Sequence, residues 1–135
     1  MNSAARRKNI EREERLLLRT ERESAAGKLL EKIPDLTSLS VAVHELRPDG
    51  RVSAVQYIRR IVVEHAPALF EMPCSYSNCK DGGYDVTREI LDGLVAQKAR
   101  FEGEGACRGS CGTGDCARLL RFVATAMYRP RLHDS

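Results

Sequence analysis

The chain has no tryptophan, only three Phe and four Tyr, and no apolar run approaching the ~18 residues that a membrane-spanning helix needs. So few aromatics exclude a large core. A length of 135 residues fits one domain, which would bury roughly two-thirds of the surface that its unfolded form exposes. The segment from Met1 to Lys8 runs straight into charged sequence without the apolar stretch of an export signal, which predicts a cytosolic chain with no membrane partner. Charged residues make up 30% of the chain, so much of its length must be solvated rather than packed.

Cysteine is missing from most of the chain and concentrated in two short stretches, Cys74 with Cys79, then Cys107, Cys111 and Cys116. In a reducing cytosol such clusters are metal ligands or redox groups more often than disulfides, and five thiols cannot all pair. Two loops that each supply two thiolates are the usual way to surround Zn2+, whose tetrahedral S4 site ties distant loops together without a large core. Cys74 and Cys79 form one pair. For the other, Cys111 with Cys116 repeats the same gap and is the symmetrical choice, while Cys107 with Cys116 closes a wider loop. The expectation is a structural zinc held by four of the five cysteines, with a thiol redox switch as an alternative.

Catalytic readings lack their residues. Pro73-Cys74 with His65 upstream has a superficial likeness to zinc deaminases, but Pro67 stands where their acid/base Glu would be, and the cysteine gap is wrong. Gly109 to Gly114 resembles a phosphate loop without the Lys-Ser or Lys-Thr that must follow. No enzymatic activity and no small-molecule substrate are expected.

The net charge of +3 is unevenly spread. Residues 1–32 hold nine Lys and Arg against six Glu, the segment from Ala117 holds four Arg against one Asp, and the centre holds nine basic against twelve acidic residues. A tetrathiolate zinc site would make the centre more negative still. A polyanion would therefore meet the ends, through Arg6, Arg7, Lys8, Arg12 and Arg15 of an N-terminal arm and Arg118 and Arg121 near the C-terminus, with Arg129 and Arg131 beyond. Tyr76 and Tyr84, with Lys80 between them and Arg108 on the second cysteine loop, either stack on bases or shield the metal.

From Ser3 to Ile33 the composition predicts one helix, stopped by Pro34, in which Arg7–Glu11, Glu11–Arg15 and Arg19–Glu23 pair at i,i+4. Its heptads fail within two repeats, which excludes a coiled coil. Leu16, Leu17 and Leu18 form either a docking patch for a protein partner or a contact with the chain's own domain, and Ala25, Ala26, Leu29, Leu30 and Ile33 form a face that should pack on it. Alternation over Thr37–Glu45 and a β-branched run over Ser53–His65 predict a hairpin around Pro48, Asp49 and Gly50. A third strand over Leu69–Met72 leads to Cys74, and Asp85 caps a helix carrying Val86, Ile90, Leu91, Leu94 and Val95. A short strand near Phe101 follows. Ala117–Tyr128 fits strand or helix; a strand is favoured, because pairing with the strand that delivers Cys74 would unite the two cysteine loops.

The composite is an α+β fold: a small, mostly antiparallel sheet with one packed helix, stapled by zinc and preceded by a long charged helix. Its organisation would be a helical arm (1–34), a zinc-binding domain (35–130) and a tail (131–135). The expected function is a binding module engaging nucleic acid or a nucleoprotein assembly, or else a protein-interaction adaptor docking through the helix.

Overall fold

The computed structural model describes residues 3–49, 51–76, 78–112 and 114–130, the side chains of residues 52–54 excepted. The tail with Arg131 and His133, and Gly50 at the hairpin turn, lie outside the described residues. Helix α1 spans Ser3–Ala26 and buries no residue. It ends short of the expected Ile33 because Gly27 turns into the left-handed region (φ +78°), where a residue without Cβ ends a helix at little cost. The chain then bridges to residues 66–68: Leu29 N–H donates to the Ala66 carbonyl (2.9 Å) and Ala68 N–H to the Gly27 carbonyl (2.8 Å). A short helix α2, Leu29–Lys32, follows and drives Leu29 and Ile33 into the core, whereas Ala25 of the expected packing face is exposed.

Strands β1 (Leu36–Leu46) and β2 (Val52–Ile61) form the expected hairpin, closed by Arg47 N–H donating to the Arg51 carbonyl. β2 stops before His65, where a turn forms as His65 N–H donates to the Val62 carbonyl. Short strands β3 (Glu71–Met72) and β4 (Tyr84–Asp85) pair with each other, flanking the first cysteine loop. Helix α3, Thr87–Val95, has Val86 at its N-cap, and Asp85 accepts the Thr87 N–H (3.1 Å) from one residue outside. Strand β5 (Arg100–Ala106) precedes a two-rung hairpin of β6 (Ser110–Cys111) and β7 (Gly114–Asp115), and β8 (Leu119–Tyr128) closes the fold.

The last segment is indeed a strand, but it does not pair with the strand leading to Cys74. The main sheet runs β2-β1-β8-β5, wholly antiparallel, with β8 between β1 and β5. The apolar alternation of β8 decides this. Leu120, Phe122, Ala124 and Ala126 share the inward face with Leu39, Val41 and Val43, and a two-residue strand could not have covered them. Onto that face pack Ile90 and Leu94 of α3, Leu29 and Ile33, and Phe70, Met72, Tyr84 and Val86. Each fully buried Leu, Ile or Phe contributes about 1.5–3 kcal/mol. Among the described residues the fold is thus mixed α+β, with three helices, one four-stranded sheet and two two-stranded ones. Among the described residues, no helix is long and apolar enough to cross a membrane.

If Gly27 sets the end of α1, Gly27→Ala should destabilise the chain by about 1–2 kcal/mol, the penalty of a left-handed residue bearing a Cβ. A fall in the denaturant midpoint with unchanged slope would show it, and an unchanged midpoint would refute it.

Candidate metal centre

Both cysteine loops hang from the open ends of strands. Cys74 and Cys79 lie between β3 and β4, Cys107 directly follows β5, and Cys116 follows β7. Their sulfurs all lie within 4.8 Å of one another. Cys74 Sγ is 3.9 Å from Cys116 Sγ, and Cys79 Sγ is 3.6 Å from Cys107 Sγ. A tetrahedron with metal–sulfur bonds of about 2.3 Å has edges of about 3.8 Å, whereas a disulfide needs about 2.05 Å. The four sulfurs stand at the separation of ligands, and all the cysteines are free thiols.

Of the two pairings left open by the spacing, the four-sulfur set contains Cys107 and not the symmetrical Cys111. Residues Ser110–Asp115 fold on themselves around Gly112 (φ +57°), with Ser110 opposite Asp115 and Cys111 opposite Gly114. That hairpin takes Cys111 into its own ladder and brings residues on either side of it together at its base, where Cys116 N–H donates to the Gly109 carbonyl (2.9 Å). Cys107 and Cys116 therefore face the site, and Cys111 stays outside the four-sulfur set as a half-buried neighbour.

What unites the loops is backbone pairing. Lys80 and Ser110 exchange N–H to carbonyl bonds at 2.9 and 3.0 Å, and Cys107 N–H donates to the Arg118 carbonyl (3.0 Å). The approach is close enough that a Cβ on Gly109 would meet the Gly82 Cα at 2.6 Å and overlap the Cys79 sulfur. Gly83 and Gly109 N–H groups each donate to Cys107 Sγ at 3.4 Å, the contacts that support a thiolate.

Burial and the crowding of other thiols push Cys74 up to about 11 and Cys79 higher still. Burial acts against ionisation of Cys116 too, but the Arg118 N–H and the neighbouring thiols outweigh it and hold Cys116 at about 7. Four sulfurs this close cannot all ionise without a cation among them.

Glu45 was not singled out in the sequence as part of this site, although the Leu39, Val41, Val43 alternation already places it on the inward face. Its side chain is 1% exposed, and it accepts the hydroxyls of Tyr84 and Ser75, both at 2.5 Å, and the Ser75 N–H at 3.3 Å. Burial raises its carboxyl, and these hydrogen bonds outweigh the burial and hold it below the ordinary range. Tyr84 is fully buried, with its hydroxyl 4.0 Å from Cys74 Sγ, so it shields the cluster. Tyr76 is half-buried beneath the Arg118 guanidinium, 3.9 Å from its ring centroid. The ligand loop is thus anchored to the sheet through a buried carboxylate.

The basic residues that the sequence marks for a polyanion do not converge. Arg6, Arg7, Lys8, Arg12 and Arg15 are exposed along the first half of α1. Arg118 lies over the cysteine loops, and Arg121 pairs with Glu104 (3.3 Å) on the sheet face turned away from the core. Leu16, Leu17 and Leu18 do not fold back on the domain: they are 59, 63 and 53% exposed.

No family model, curated protein or solved structure matches this chain.

Cys107→Ser should abolish tight metal binding and lower the melting temperature sharply, whereas Cys111→Ser should retain both; the reverse pattern in a metal titration would refute the ligand set. Glu45→Ala leaves the buried Tyr84 hydroxyl without its acceptor, at about 1–3 kcal/mol, and removes the Ser75 bond from the more exposed side. Equilibrium unfolding of the metal-loaded protein should show that loss, and wild-type stability would refute the anchor.

Proposed function

We propose that the chain is a non-enzymatic binding module stapled by one structural Zn2+, and that it engages nucleic acid or a nucleoprotein assembly. The observation that carries the zinc assignment is the set of four sulfurs from Cys74, Cys79, Cys107 and Cys116, all within 4.8 Å of one another. Four thiolates favour zinc over hard cations, and four protein ligands leave no open position for a water or substrate, which is the pattern of structural rather than catalytic sites. Bound zinc would contribute on the order of 10 kcal/mol to folding, comparable with the whole net stability of a small domain.

The polyanion reading rests on the exposed basic side chains of α1, which is tied to the domain near its C-terminal end by the Arg22–Glu71 ion pair. Native mass spectrometry of the freshly purified chain should show one zinc, and chelation should unfold it; unchanged melting of verified metal-free protein would refute the staple. Retention on single-stranded oligonucleotides should fall steeply with salt. No binding at low salt would refute the nucleic-acid reading.

A second reading has its own observation. Ile10, at 49% exposed, and the three exposed leucines give α1 an unburied apolar patch suited to a partner helix. Replacing Leu16, Leu17 and Leu18 with Ser should abolish such a complex in pull-downs with α1 as bait, while changing stability by no more than about 0.5 kcal/mol. Retention of the partner would remove this reading.

A further inference from the structure

Beside the metal loops lies a cleft of about 440 Å3 whose wall brings together Arg19 and Arg22 of α1, Tyr57 and Arg59 of β2, Glu71 of β3, and Arg108 of the second cysteine loop. These residues are far apart in sequence, and the fold assembles them at one point. Glu71 is the hub. Its carboxylate accepts Arg22 Nε and an Arg108 terminal nitrogen, both at 2.9 Å, while Arg59 donates to the Glu71 carbonyl at 3.4 Å. Burial would raise the Glu71 carboxyl, but the two guanidinium groups outweigh it and keep the group charged.

One carboxylate cannot fill two forks. Each guanidinium has five N–H donors; the Glu71 carboxylate takes one bond from each of Arg22 and Arg108 and the Glu71 carbonyl one from Arg59, which leaves donors on each guanidinium for a further acceptor. Glu23 holds Arg19 at 3.1 Å and Asp85 lies 3.9 Å from Arg108, so four cations against three carboxylates leave an excess of one. The tetrathiolate lies behind Gly82 and Gly83, where the backbone N–H groups and Arg118 already face it. Forks held in a fixed array select phosphate oxygens by geometry, bidentately, beyond what net charge alone would give.

We propose that this cleft binds the phosphodiester backbone of single-stranded nucleic acid, with the four arginines on phosphates and Tyr57 as a stacking platform for one base. The volume falls in the range of ligand sites. Tyr57, 37% exposed, sits inside the cleft, where a base can reach it only if unstacked from its neighbours, which a duplex does not offer. This assignment rests on the nucleic-acid reading above and moves its centre from the tip of the arm to the arm's root.

The test is fluorescence anisotropy of the zinc-loaded full chain with a labelled single-stranded oligonucleotide over a range of salt. Arg19→Ala with Arg59→Ala should weaken binding tenfold or more and flatten the log–log salt slope by about 1.4, the loss of two phosphate contacts on a single strand. Tyr57→Ala should cost about fivefold or more with the slope unchanged, and Tyr57→Phe should restore binding. Unchanged zinc content and melting temperature establish that each variant folds. Wild-type affinity in these variants, with binding lost instead in Arg6→Ala/Arg7→Ala/Lys8→Ala, would overturn the cleft and leave the binding-module reading standing. No binding by the wild type would overturn both. Equal affinity for the matching duplex would overturn the single-strand assignment. Competition by a nucleoside monophosphate or inorganic phosphate at the oligonucleotide's own concentration would overturn the polynucleotide in favour of a small phosphate ligand.

Discussion

Four sulfurs from two loops must meet within 4.8 Å, and much of the molecule's lower half is arranged around that meeting. Burial, with the neighbouring thiols, pushes Cys74 up to about 11, while at Cys116 the Arg118 N–H and the neighbouring thiols outweigh burial and hold it at about 7. Backbone contacts frame this crowding. Lys80 and Ser110 pair across the two loops, Gly82 and Gly109 remove the side chains that would keep them apart, and N–H groups point at Cys107 Sγ.

The site also reaches into the sheet. Glu45 extends the inward alternation of β1 past Val43 to Ser75 and Tyr84, beside Cys74. A buried carboxylate is costly unless its hydrogen bonds are satisfied, and here both oxygens accept hydroxyls. The result couples the register of β1 to the position of the first cysteine loop. A shift of β1 by one residue would expose Val41 and Val43 and withdraw the acceptor from Tyr84 together, so the polar contact reinforces the register that the apolar ones set.

How far this was legible in the sequence depends on the range of the interaction. The hairpin and the helix after Asp85 follow from local alternation and turn chemistry and are present, whereas the local pattern of the last segment fits strand and helix alike, and the pairing that favoured a strand there is not the one the sheet makes. The end of α1 was misplaced because Pro34 is a conspicuous stop, while a lone Gly27 is tolerated inside helices and its torsion is chosen by bonds to residues 66–68, distant in sequence. The partner of β8 was missed for the same reason: any apolar strand can pair with any other, and only the full core decides. The cysteines were legible as a group but not individually, because equal gaps suggested symmetry that the β6–β7 hairpin breaks. Glu45 was readable from its phase in the β1 alternation, but the arginine cleft was not, since each of its residues looks like ordinary solvated charge until Glu71 gathers them.

That gathering explains the otherwise odd attachment of α1. A helix with no buried residue has no hydrophobic reason to hold any particular angle to its domain. What fixes it is the turn at Gly27 and the ion pair of Arg22 with Glu71, which shares its carboxylate with Arg108 from a cysteine loop. Ion pairs with exposed cations are weak, and such a joint is strengthened by anything that bridges its arginines. An anion lodged between α1, β2 and the cysteine loop would do so, making the pose of the arm and the occupancy of the cleft two views of one equilibrium. The charged rod and the thiolate cluster, unrelated in sequence, are thereby joined through a single glutamate.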